Sequence, residues 1–378
     1  MRKTTYIVDY NLITPLGFGI ASNWNSLLQG KTGVSQHKII ENEEPFFASI
    51  IENDNLENAF SMHNETVEFT RLEKMLYLSL KPLIDRNPIS SKSVLILSTT
   101  KGNISSLKNK DELPSQVYLS ALANKLAQHF GFHTPPIVVS NACVSGVMAI
   151  GVAKNLIQAD LYDDAYVIAG DEISEFVVSG FNSFKAIGNE VCKPYDKNRT
   201  GINIGEAAAA VYITTKIKNK EKFSFKILGD SAINDANHIS GPSRTGDGLF
   251  KSVKTAINES NIQPKDINFI SAHGTATLYN DEMEAIAFNR MNMQNIPLNS
   301  LKAYYGHCLG ASGLLESIIA MESSLNNQLI PSKNFEEMGV SQSLNIIKEI
   351  TPVEIRYILK TASGFGGCNA AVVLEKCS

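Results

Sequence analysis

The chain has 378 residues, of which 43% are hydrophobic, and its formal net charge is −4. This length and apolar content suffice for a large core and suggest about two domains. The nearly balanced charge argues against nucleic-acid binding as a bulk property, and no apolar run approaches the ~18 residues of a membrane helix.

Five cysteines are scattered along the chain, and no two of them have CxxC spacing. This pattern predicts reduced thiols rather than a disulfide framework or a structural zinc site. The segment Met1–Gly17 carries Asp9 and Asn11 within its apolar stretch, which is unlike the core of a signal peptide. We therefore expect a cytoplasmic location.

Short β-branched runs alternate with longer helical patterns. The strand candidates are, in order, Thr5–Asp9, Ser93–Leu97, Ile137–Ser140, Ala165–Ala169, Ala209–Thr214, Ser224–Leu228, Ile267–Ser271, Ile355–Lys360 and Ala370–Leu374. The helix candidates are Ser115–Gly131, Ser145–Ala159, Gly246–Ser260, Asp281–Met291 and Gly310–Asn326. Several strand candidates are apolar throughout, as strands covered on both faces are, so the sequence predicts an α/β fold with mixed sheets.

Two features suggest that the chain has two related halves. The polar run "KIKNKEK", Lys216–Lys222, is the best candidate for a connection between them, although it also fits a solvated hairpin loop. Ile137–Ser140 leads through Cys143 into a helix rich in small residues, and a later segment leads through His307 into another. Small residues on all sides of a helix indicate close packing, so this repeated pattern of strand, reactive residue and helix suggests a duplicated architecture.

The stretch "SNACVSGVMAIG", Ser140–Gly151, puts Cys143 between a strand candidate and a helix candidate. The free N–H groups and the dipole at a helix N-terminus favour an anion there, so we expect a lowered thiol pKa and a nucleophilic role. The alternative is an inert, packed cysteine, because cysteine is often buried.

Two histidines and a lysine occupy similar positions. His273, in "ISAHGTATLYNDEMEA", comes directly after an apolar strand candidate, where α/β folds place ligands, although a structural histidine would also fit. Lys302 and His307 lie five residues apart in "NSLKAYYGHCLGASG", at or before the start of a helix. A surface lysine and a capping histidine would explain the latter pair equally well.

The segment "TASGFGGCNAAVVL" places a glycine-rich turn with Phe365 between two strand candidates. Glycine permits positive φ and close approach of the backbone, and an N–H in such a turn can serve as an oxyanion donor. An ordinary hairpin with a buried Phe365 is the alternative.

The thiol, the two histidines and the lysine, in their order along the chain, resemble the catalytic residues of the β-ketoacyl synthase family, the condensing enzymes of the thiolase superfamily. "LITPLG" at Leu12–Gly17, "NWNSLLQGKTGV" at Asn23–Val34 and "CKPYDKNRTGINIGEAAAAVYI" at Cys192–Ile213 are similar to further segments of that family. The resemblance covers almost the whole chain. It implies a thiolase-like fold, which is a duplicated αβαβα five-layer architecture with two mixed sheets around central buried helices. The N-terminal half would span residues 1–218 and the C-terminal half residues 219–378.

The resemblance also implies roles for individual residues. Cys143 matches the acyl-accepting nucleophile, and His273 and His307 match the pair that binds the thioester carbonyl oxygen, a Cys-His-His set typical of elongating synthases. Lys302 matches the lysine beside the histidines. The backbone N–H groups of Cys143 and Phe365 match the oxyanion hole.

Further positions match supporting and gating groups. Glu284 and Glu316 match acidic residues that support the two histidines. Phe365 matches a gating phenylalanine, and we expect Thr275, Gly364 and Gly366 to contribute to substrate binding with it.

Three motifs depart from the usual family pattern. The nucleophile motif reads "NACVSG", the first histidine is followed by "TATLYND", and Tyr304 and Tyr305 replace smaller or flexible residues. None of these changes removes a catalytic group. They resemble stand-alone synthases of secondary pathways, such as those for aryl polyene or flexirubin-type pigments.

The implied reaction is a decarboxylative Claisen condensation that needs neither a metal nor a redox cofactor. The expected partners are an acyl carrier protein, which delivers substrates on its phosphopantetheine arm, and either a second copy of the chain or a chain-length factor. A basic patch for the acidic carrier could involve Lys101, Lys108, Lys110 and the Lys216–Lys222 run, although simple solvation explains each lysine equally well.

Two rival functions remain at this stage. A degradative thiolase would need a second cysteine near the C-terminus; Cys368 and Cys377 are present but lack the thiolase context. A non-catalytic chain-length factor would lack the nucleophile, whereas this chain keeps Cys143, His273 and His307.

Overall fold

The fold is taken from a computed structural model that describes residues 3–38, 44–107, 113–217, 223–236 and 241–377. The strands are β1 (Tyr6–Thr14), β2 (Gly17–Phe18), β3 (Val34–His37), β4 (Phe46–Ser49), β5 (Ser93–Ser98), β6 (Ile137–Val139), β7 (Asp164–Asp171), β8 (Ile204–Gly205), β9 (Ala207–Thr214), β10 (Ser224–Asn234), β11 (Phe269–Ser271), β12 (Pro297–Asn299), β13 (Gln328–Leu329), β14 (Asn345–Ile346), β15 (Thr351–Pro352), β16 (Tyr357–Gly364) and β17 (Cys368–Cys377). The helices are α1 (Ile20–Leu28), α2 (Asn53–Ser61), α3 (Arg71–Arg86), α4 (Leu119–Phe130), α5 (Ser145–Gln158), α6 (Glu175–Ser183), α7 (Asp247–Ser260), α8 (Leu278–Arg290), α9 (Lys302–Tyr305) and α10 (Ser312–Asn326).

A mixed sheet of twelve strands runs through the described part of the molecule. One side has the order β6-β5-β7-β9-β1 and the other β10-β17-β16-β11-β12-β14, and the short β2 pairs with β1 outside this order. The two sides meet where β1 pairs with β10 through two registered pairs, Tyr6 with Lys226 and Ile7 with Phe225. The two mixed sheets expected from the sequence are therefore continuous through one short antiparallel contact.

Three hydrophobic clusters lie between the layers of helices and sheets. Alternate residues of β9 face different clusters: Ala207, Ala209 and Val211 join the central one, while Ala208 and Ala210 join an outer one. The central cluster contains α5 and α10, one outer cluster contains α3 and α4, and the other contains α7 and α8. Because strand side chains alternate between faces, each half-sheet is covered on both sides, and the layers follow the predicted αβαβα order.

The two central helices, α5 and α10, approach closely because glycines face the contact. A Cβ atom at Gly146 would lie 2.6 Å from the backbone nitrogen of Leu314, and one at Gly313 would lie 2.9 Å from that of Val147. Any larger side chain at these positions would push the helices apart. This contact fixes the distance between the segments that precede the two helices.

The sequence predicted the central elements better than the outer ones. Most strand candidates correspond to observed strands with bounds that differ by several residues, and the candidate Ser115–Gly131 is a 3₁₀ turn followed by α4. Helices α1, α2, α3 and α6 and the short α9 were not predicted. In α3 the capping box of Thr70 and Glu73 was the available signal, although Pro82 interrupts the helical pattern.

The structure excludes a hairpin at Lys216–Lys222. Strands β9 and β10, which precede and follow this run, both pair antiparallel with β1, on its opposite sides. A hairpin would require these two strands to be neighbours. Residues 218–222, and with them the predicted boundary between 218 and 219, lie outside the described residues, so the division into halves stays a prediction.

Candidate active site

The nucleophile candidate lies in a tight turn between β6 and α5. Ala142 has a φ of 45°, which is unusual for a residue other than glycine. The Ser145 hydroxyl stabilises this turn, since it accepts from the Asn141 N–H and donates to the Ala142 carbonyl, both at 2.7 Å. The turn places Cys143 two residues before α5, where the packed central helices meet a cavity.

His307 contacts the thiol directly. Its Nε2 lies 2.9 Å from the Sγ of Cys143, and its Nδ1 is hydrogen-bonded to the Ser312 hydroxyl at 2.9 Å. Ser312 is the first residue of α10, five positions after the histidine. His307 therefore precedes this helix, as the sequence indicated, with a 3₁₀ turn between them. Because its imidazole bonds to a side chain, the alternative of a capping histidine is wrong.

His273 follows β11 by two residues and faces His307, with ring centroids 5.1 Å apart and ring planes at 83°. Glu284 holds its backbone, accepting from the N–H groups of His273 at 2.9 Å and Gly274 at 2.7 Å. Asp281 accepts from the Thr275 N–H at 2.9 Å. Two carboxylates on α8 therefore fix the loop that carries this imidazole.

A buried charge cluster lies behind the histidines. Lys302 and Glu316 form an ion pair, and Lys360 binds the other oxygen of the same carboxylate at 2.6 Å. Both lysines are fully buried. The alternative of a surface lysine at position 302 is therefore wrong. The cluster contains two potential cations and one carboxylate, which is a net positive charge when both amines are protonated.

Burial decides the protonation of the site. It raises the pKa of the Cys143 thiol to about 12, which outweighs the lowering by Lys302 and by the hydrogen bond from the Phe365 backbone. The expected lowering of this pKa by the helix terminus is therefore wrong. Burial first, and then the neighbouring lysines, hold the pKa values of His273 and His307 well below 6.5. At neutral pH the resting site is a thiol beside two neutral imidazoles.

The glycine-rich turn between β16 and β17 closes one side of the site. A Cβ atom at Gly364 would lie 3.1 Å from the Cys143 backbone nitrogen, so the two backbones touch. Phe365 is 37% exposed, which excludes the alternative of a buried ring. Its ring centroid lies 5.6 Å from that of Phe181 and 5.2 Å from that of Phe184.

A cavity of about 630 Å³ joins the site to the surface. Cys143 and both histidines line this cavity. So do three of the residues expected to bind substrate, Thr275, Gly364 and Phe365. Gly366 is not part of this lining, whereas Gly367 is. The volume lies within the range of small-molecule sites.

The surface at the cavity mouth differs from the expected lysine patch. Lys101 and Lys216 do not line the cavity, while Lys108, Lys110 and residues 218–222 lie outside the described residues. Instead, exposed Lys185 lines the mouth beside the exposed side chains of Phe184 and Tyr279.

Sequence reasoning missed three buried supports of the site: Ser312, Lys360 and Asp171. Asp171, at the end of β7, accepts from the Gly310 N–H at 2.8 Å and from the Thr100 N–H at 2.9 Å. The available signal was a charged residue in an otherwise apolar strand pattern, as in "YILKTASG" around Lys360.

The Cys143, His273 and His307 ligand atoms lie within 4.8 Å of one another, so this is the group that could hold a metal ion by geometry. The positive charge of the lysine cluster opposes a cation there. Separately, among the described residues we find no helix with the length and hydropathy needed to cross a lipid bilayer.

Comparison with known proteins gives the family from sequence and the fold from structure. The β-ketoacyl synthase N-terminal domain matches residues 92–219, and the β-ketoacyl synthase C-terminal domain matches residues 225–336, together more than half of the chain. The chain is 26% identical to a putative mitochondrial 3-oxoacyl-[acyl-carrier-protein] synthase of Schizosaccharomyces pombe and 25% identical to 3-oxoacyl-[acyl-carrier-protein] synthase 2 of Staphylococcus aureus, with 99% of each chain covered in both cases.

The fold is similar to a chain of the complex between a ketosynthase and its chain length factor from Xenorhabdus doucetiae. The TM-score is 0.86 at 23% identity, with 99% of this chain and 98% of that chain covered. The matches confirm the thiolase-like fold and the expected acyltransferase class. With its Cys-His-His set in one cavity, the chain belongs to the β-ketoacyl synthase family and is a condensing enzyme.

Proposed function

We propose that the enzyme accepts an acyl chain on Cys143 from an acyl carrier protein and condenses it with a malonyl-carrier thioester. The observation that carries this proposal is the 2.9 Å contact between the Cys143 Sγ and the His307 Nε2 inside the cavity. A thiol with a pKa of about 12 needs a base in contact with it, and a neutral imidazole supplies one.

In the acyl-transfer step, the sulfur of Cys143 attacks the carbonyl carbon of the carrier thioester while its proton passes to His307. The N–H groups of Cys143 and Phe365 stabilise the tetrahedral oxyanion. The carbon–sulfur bond to the carrier then breaks, and the carrier thiolate takes up the proton. The products are an acyl-Cys143 thioester and a free carrier thiol.

In the condensation step, the carbon–carboxylate bond of the malonyl group breaks and carbon dioxide leaves. The electron pair forms an enolate, whose oxygen accepts hydrogen bonds from the N–H of His273 and from that of His307 in the tautomer that carries its proton on Nε2. Loss of one such donor costs about 3–4 kcal/mol of transition-state stabilisation. The enolate carbon then attacks the acyl-Cys143 carbonyl, and collapse of the second oxyanion releases the 3-ketoacyl product and the cysteine thiolate, which takes up one proton from solvent.

The pathway and partners belong to the same proposal. The departures at "NACVSG", at "TATLYND" and at the two tyrosines favour a secondary pathway that makes polyene or polyketide chains rather than housekeeping fatty-acid synthesis. The exposed Phe184, Lys185 and Tyr279 at the cavity mouth suit contact with an acidic carrier protein. A second copy or a chain length factor is the proposed partner subunit.

The two alternative functions, a chain-length factor and a thiolase, would require different residues at the site. A chain-length factor needs no nucleophile, whereas here Cys143 and both histidines line one cavity. A thiolase needs a second cysteine that reaches the substrate. Cys368 is buried, donates to the Phe365 carbonyl at 3.1 Å and does not line the cavity.

The test compares Cys143→Ala and Cys143→Gln with the wild type in three assays: acyl loading by intact-protein mass spectrometry, carbon dioxide release from malonyl carrier, and condensation. We expect both variants to lose loading and condensation, and Cys143→Gln to keep malonyl decarboxylation. Condensation by purified Cys143→Ala would refute the proposal. Acetyl-CoA exchange without malonyl substrate would favour a thiolase, and a panel of acyl carriers loaded on the wild type would identify the starter.

A further inference from the structure

We propose that Lys360 is a positioning residue for the histidine pair: its ammonium group ties the strand that ends near His273 to the helix that orients His307, and it supplies a buried positive charge beside both imidazoles. This inference rests on the proposed roles of the two histidines in decarboxylation. Lys360 does not line the cavity, so it acts through its neighbours and not on the substrate.

The direction of the side chain follows from strand alternation. In β16, Ile358 and Ala362 face the central cluster and Leu359 faces the outer one. Lys360 shares the face of Ile358 and Ala362, where the central helix α10 presents Glu316. A fully buried amine at this position replaces an apolar core side chain, which is costly unless its charge and its donors are satisfied.

A protonated Lys360 has three oxygen atoms around its Nζ: two carbonyl oxygens accept hydrogen bonds, and a carboxylate oxygen forms an ion pair with it. Its Nζ lies 2.6 Å from Glu316 Oε2, and it donates to the carbonyls of Ser271 at 3.1 Å and Ala272 at 3.2 Å. A carboxylate beside the amine favours the ammonium form over the neutral amine. The contacts therefore match the charged form, even though burial lowers the pKa of this lysine.

These contacts connect the supports of both imidazoles. Ala272 directly precedes His273, so Lys360 holds the peptide before this histidine while Glu284 holds its N–H at 2.9 Å. On the other side, Glu316 lies one turn after Ser312 on α10, and Ser312 bonds to His307. The spacing of the two imidazoles therefore depends on the Lys360–Glu316 bond.

The same lysine adds a second positive charge beside the Lys302–Glu316 ion pair. Glu316 offers one negative charge to Lys302 and Lys360. The charged and titratable groups that face the histidines or this cluster, besides the histidines themselves, are Cys143, Cys192, Tyr195, Glu284, Lys302, Cys308, Glu316 and Lys360. The extra positive charge opposes protonation of the imidazoles, so the two rings act as neutral hydrogen-bond donors to the enolate oxygen.

The test uses Lys360→Met, Lys360→Gln and, as a matched control, Lys154→Met. Lys154 is also buried and bound by two carboxylates, Asp230 at 2.6 Å and Glu259 at 2.8 Å, but it lies in α5 away from the histidines. Malonyl decarboxylation is measured against pH, and acyl loading of Cys143 is measured separately. Circular dichroism and thermal unfolding report whether each variant folds.

We expect Lys360→Met to lower the kcat of decarboxylation, which uses both imidazoles, roughly tenfold to a hundredfold, as misplaced catalytic groups do, and to lower acyl loading, which uses His307 alone, by a smaller factor. Loss of the positive charge raises the pKa of the imidazoles, so the acidic limb of the decarboxylation profile should move to higher pH by about one unit. Lys360→Gln should show the same pH shift with a smaller loss of rate, because it keeps hydrogen-bond donors. Lys154→Met should lose stability without this shift.

Three results would overturn the inference: an unshifted acidic limb in folded Lys360→Met, equal losses in decarboxylation and acyl loading, or failure of both Lys360 variants to fold while Lys154→Met folds. Absence of malonyl decarboxylation in the wild type would instead overturn the proposed function, so the two failures are distinguishable.

Discussion

Asp171 provides a sharp test of how the His307 segment is held. Its carboxylate accepts from the backbone N–H groups of Thr100 at 2.9 Å, Lys101 at 3.2 Å and Gly310 at 2.8 Å, and from the Thr99 hydroxyl at 3.0 Å. Gly310 follows His307 by three residues. The carboxylate therefore connects the end of β5 to the turn that leads from His307 into α10.

Replacement by alanine leaves three N–H groups without this acceptor, that of Gly310 in a buried position and those of Thr100 and Lys101 partly buried. Each unpaired donor costs about 1–3 kcal/mol, and water that enters the space left by the side chain recovers part of that loss. We therefore expect Asp171→Ala to lower the free energy of unfolding by about 3–5 kcal/mol, at the lower end of the summed costs. Asp171→Asn should cost about 1–3 kcal/mol, because its amide turns one donor toward another donor.

The assay pairs urea unfolding with condensation activity per folded molecule. The control is Asp164→Ala, at the opposite end of the same strand, where the carboxylate binds the Ser93 hydroxyl far from the cavity. Asp164→Ala should lose about 1–2 kcal/mol of stability and keep its activity, whereas Asp171→Ala should lose roughly tenfold or more in activity. A loss of stability below about 1 kcal/mol for Asp171→Ala, or equal losses of activity in both variants, would refute the reasoning.

Two further predictions follow from protonation at the site. Because burial and the nearby lysines hold the pKa values of His273 and His307 well below 6.5, malonyl decarboxylation should stay constant from about pH 8 down to below about pH 6.5; an acidic limb with its midpoint at or above that value would contradict it. Because burial raises the pKa of Cys143 to about 12, its rate of alkylation by iodoacetamide should rise about tenfold per pH unit from about pH 7 to about pH 10. A plateau near pH 8, measured by mass spectrometry of the Cys143 peptide, would show a lower thiol pKa.

The three reacting groups could be predicted because their signals are local. Cys143 and His273 each follow a short apolar strand, and His307 precedes a helix of small residues. The carboxyl ends of strands in α/β folds are where ligands bind, so each position was a candidate from its own neighbours. The resemblance in motif order then brought the candidates together.

The supports of these groups could not be predicted because their partners are distant in sequence. Asp171 and Gly310 are separated by 139 positions, and no local pattern pairs them. The protonation of Cys143 was missed for a similar reason: the helix terminus is a local feature, whereas burial depends on every layer that surrounds the thiol. Lys360 illustrates the same limit, since a lysine in a strand indicates a buried partner without naming it.

Helix α10 shows why the distant and local features act together. Ser312 and Glu316 are four residues apart and therefore lie on one face, where Ser312 orients His307 and Glu316 binds Lys302 and Lys360. The helix also touches α5 through Gly313, which sets its distance from the turn that carries Cys143. A small shift of α10 would thus change the thiol–imidazole contact and the charge cluster at once. Acyl transfer and decarboxylation, which use His307 in different ways, are for this reason tied to one packing interface.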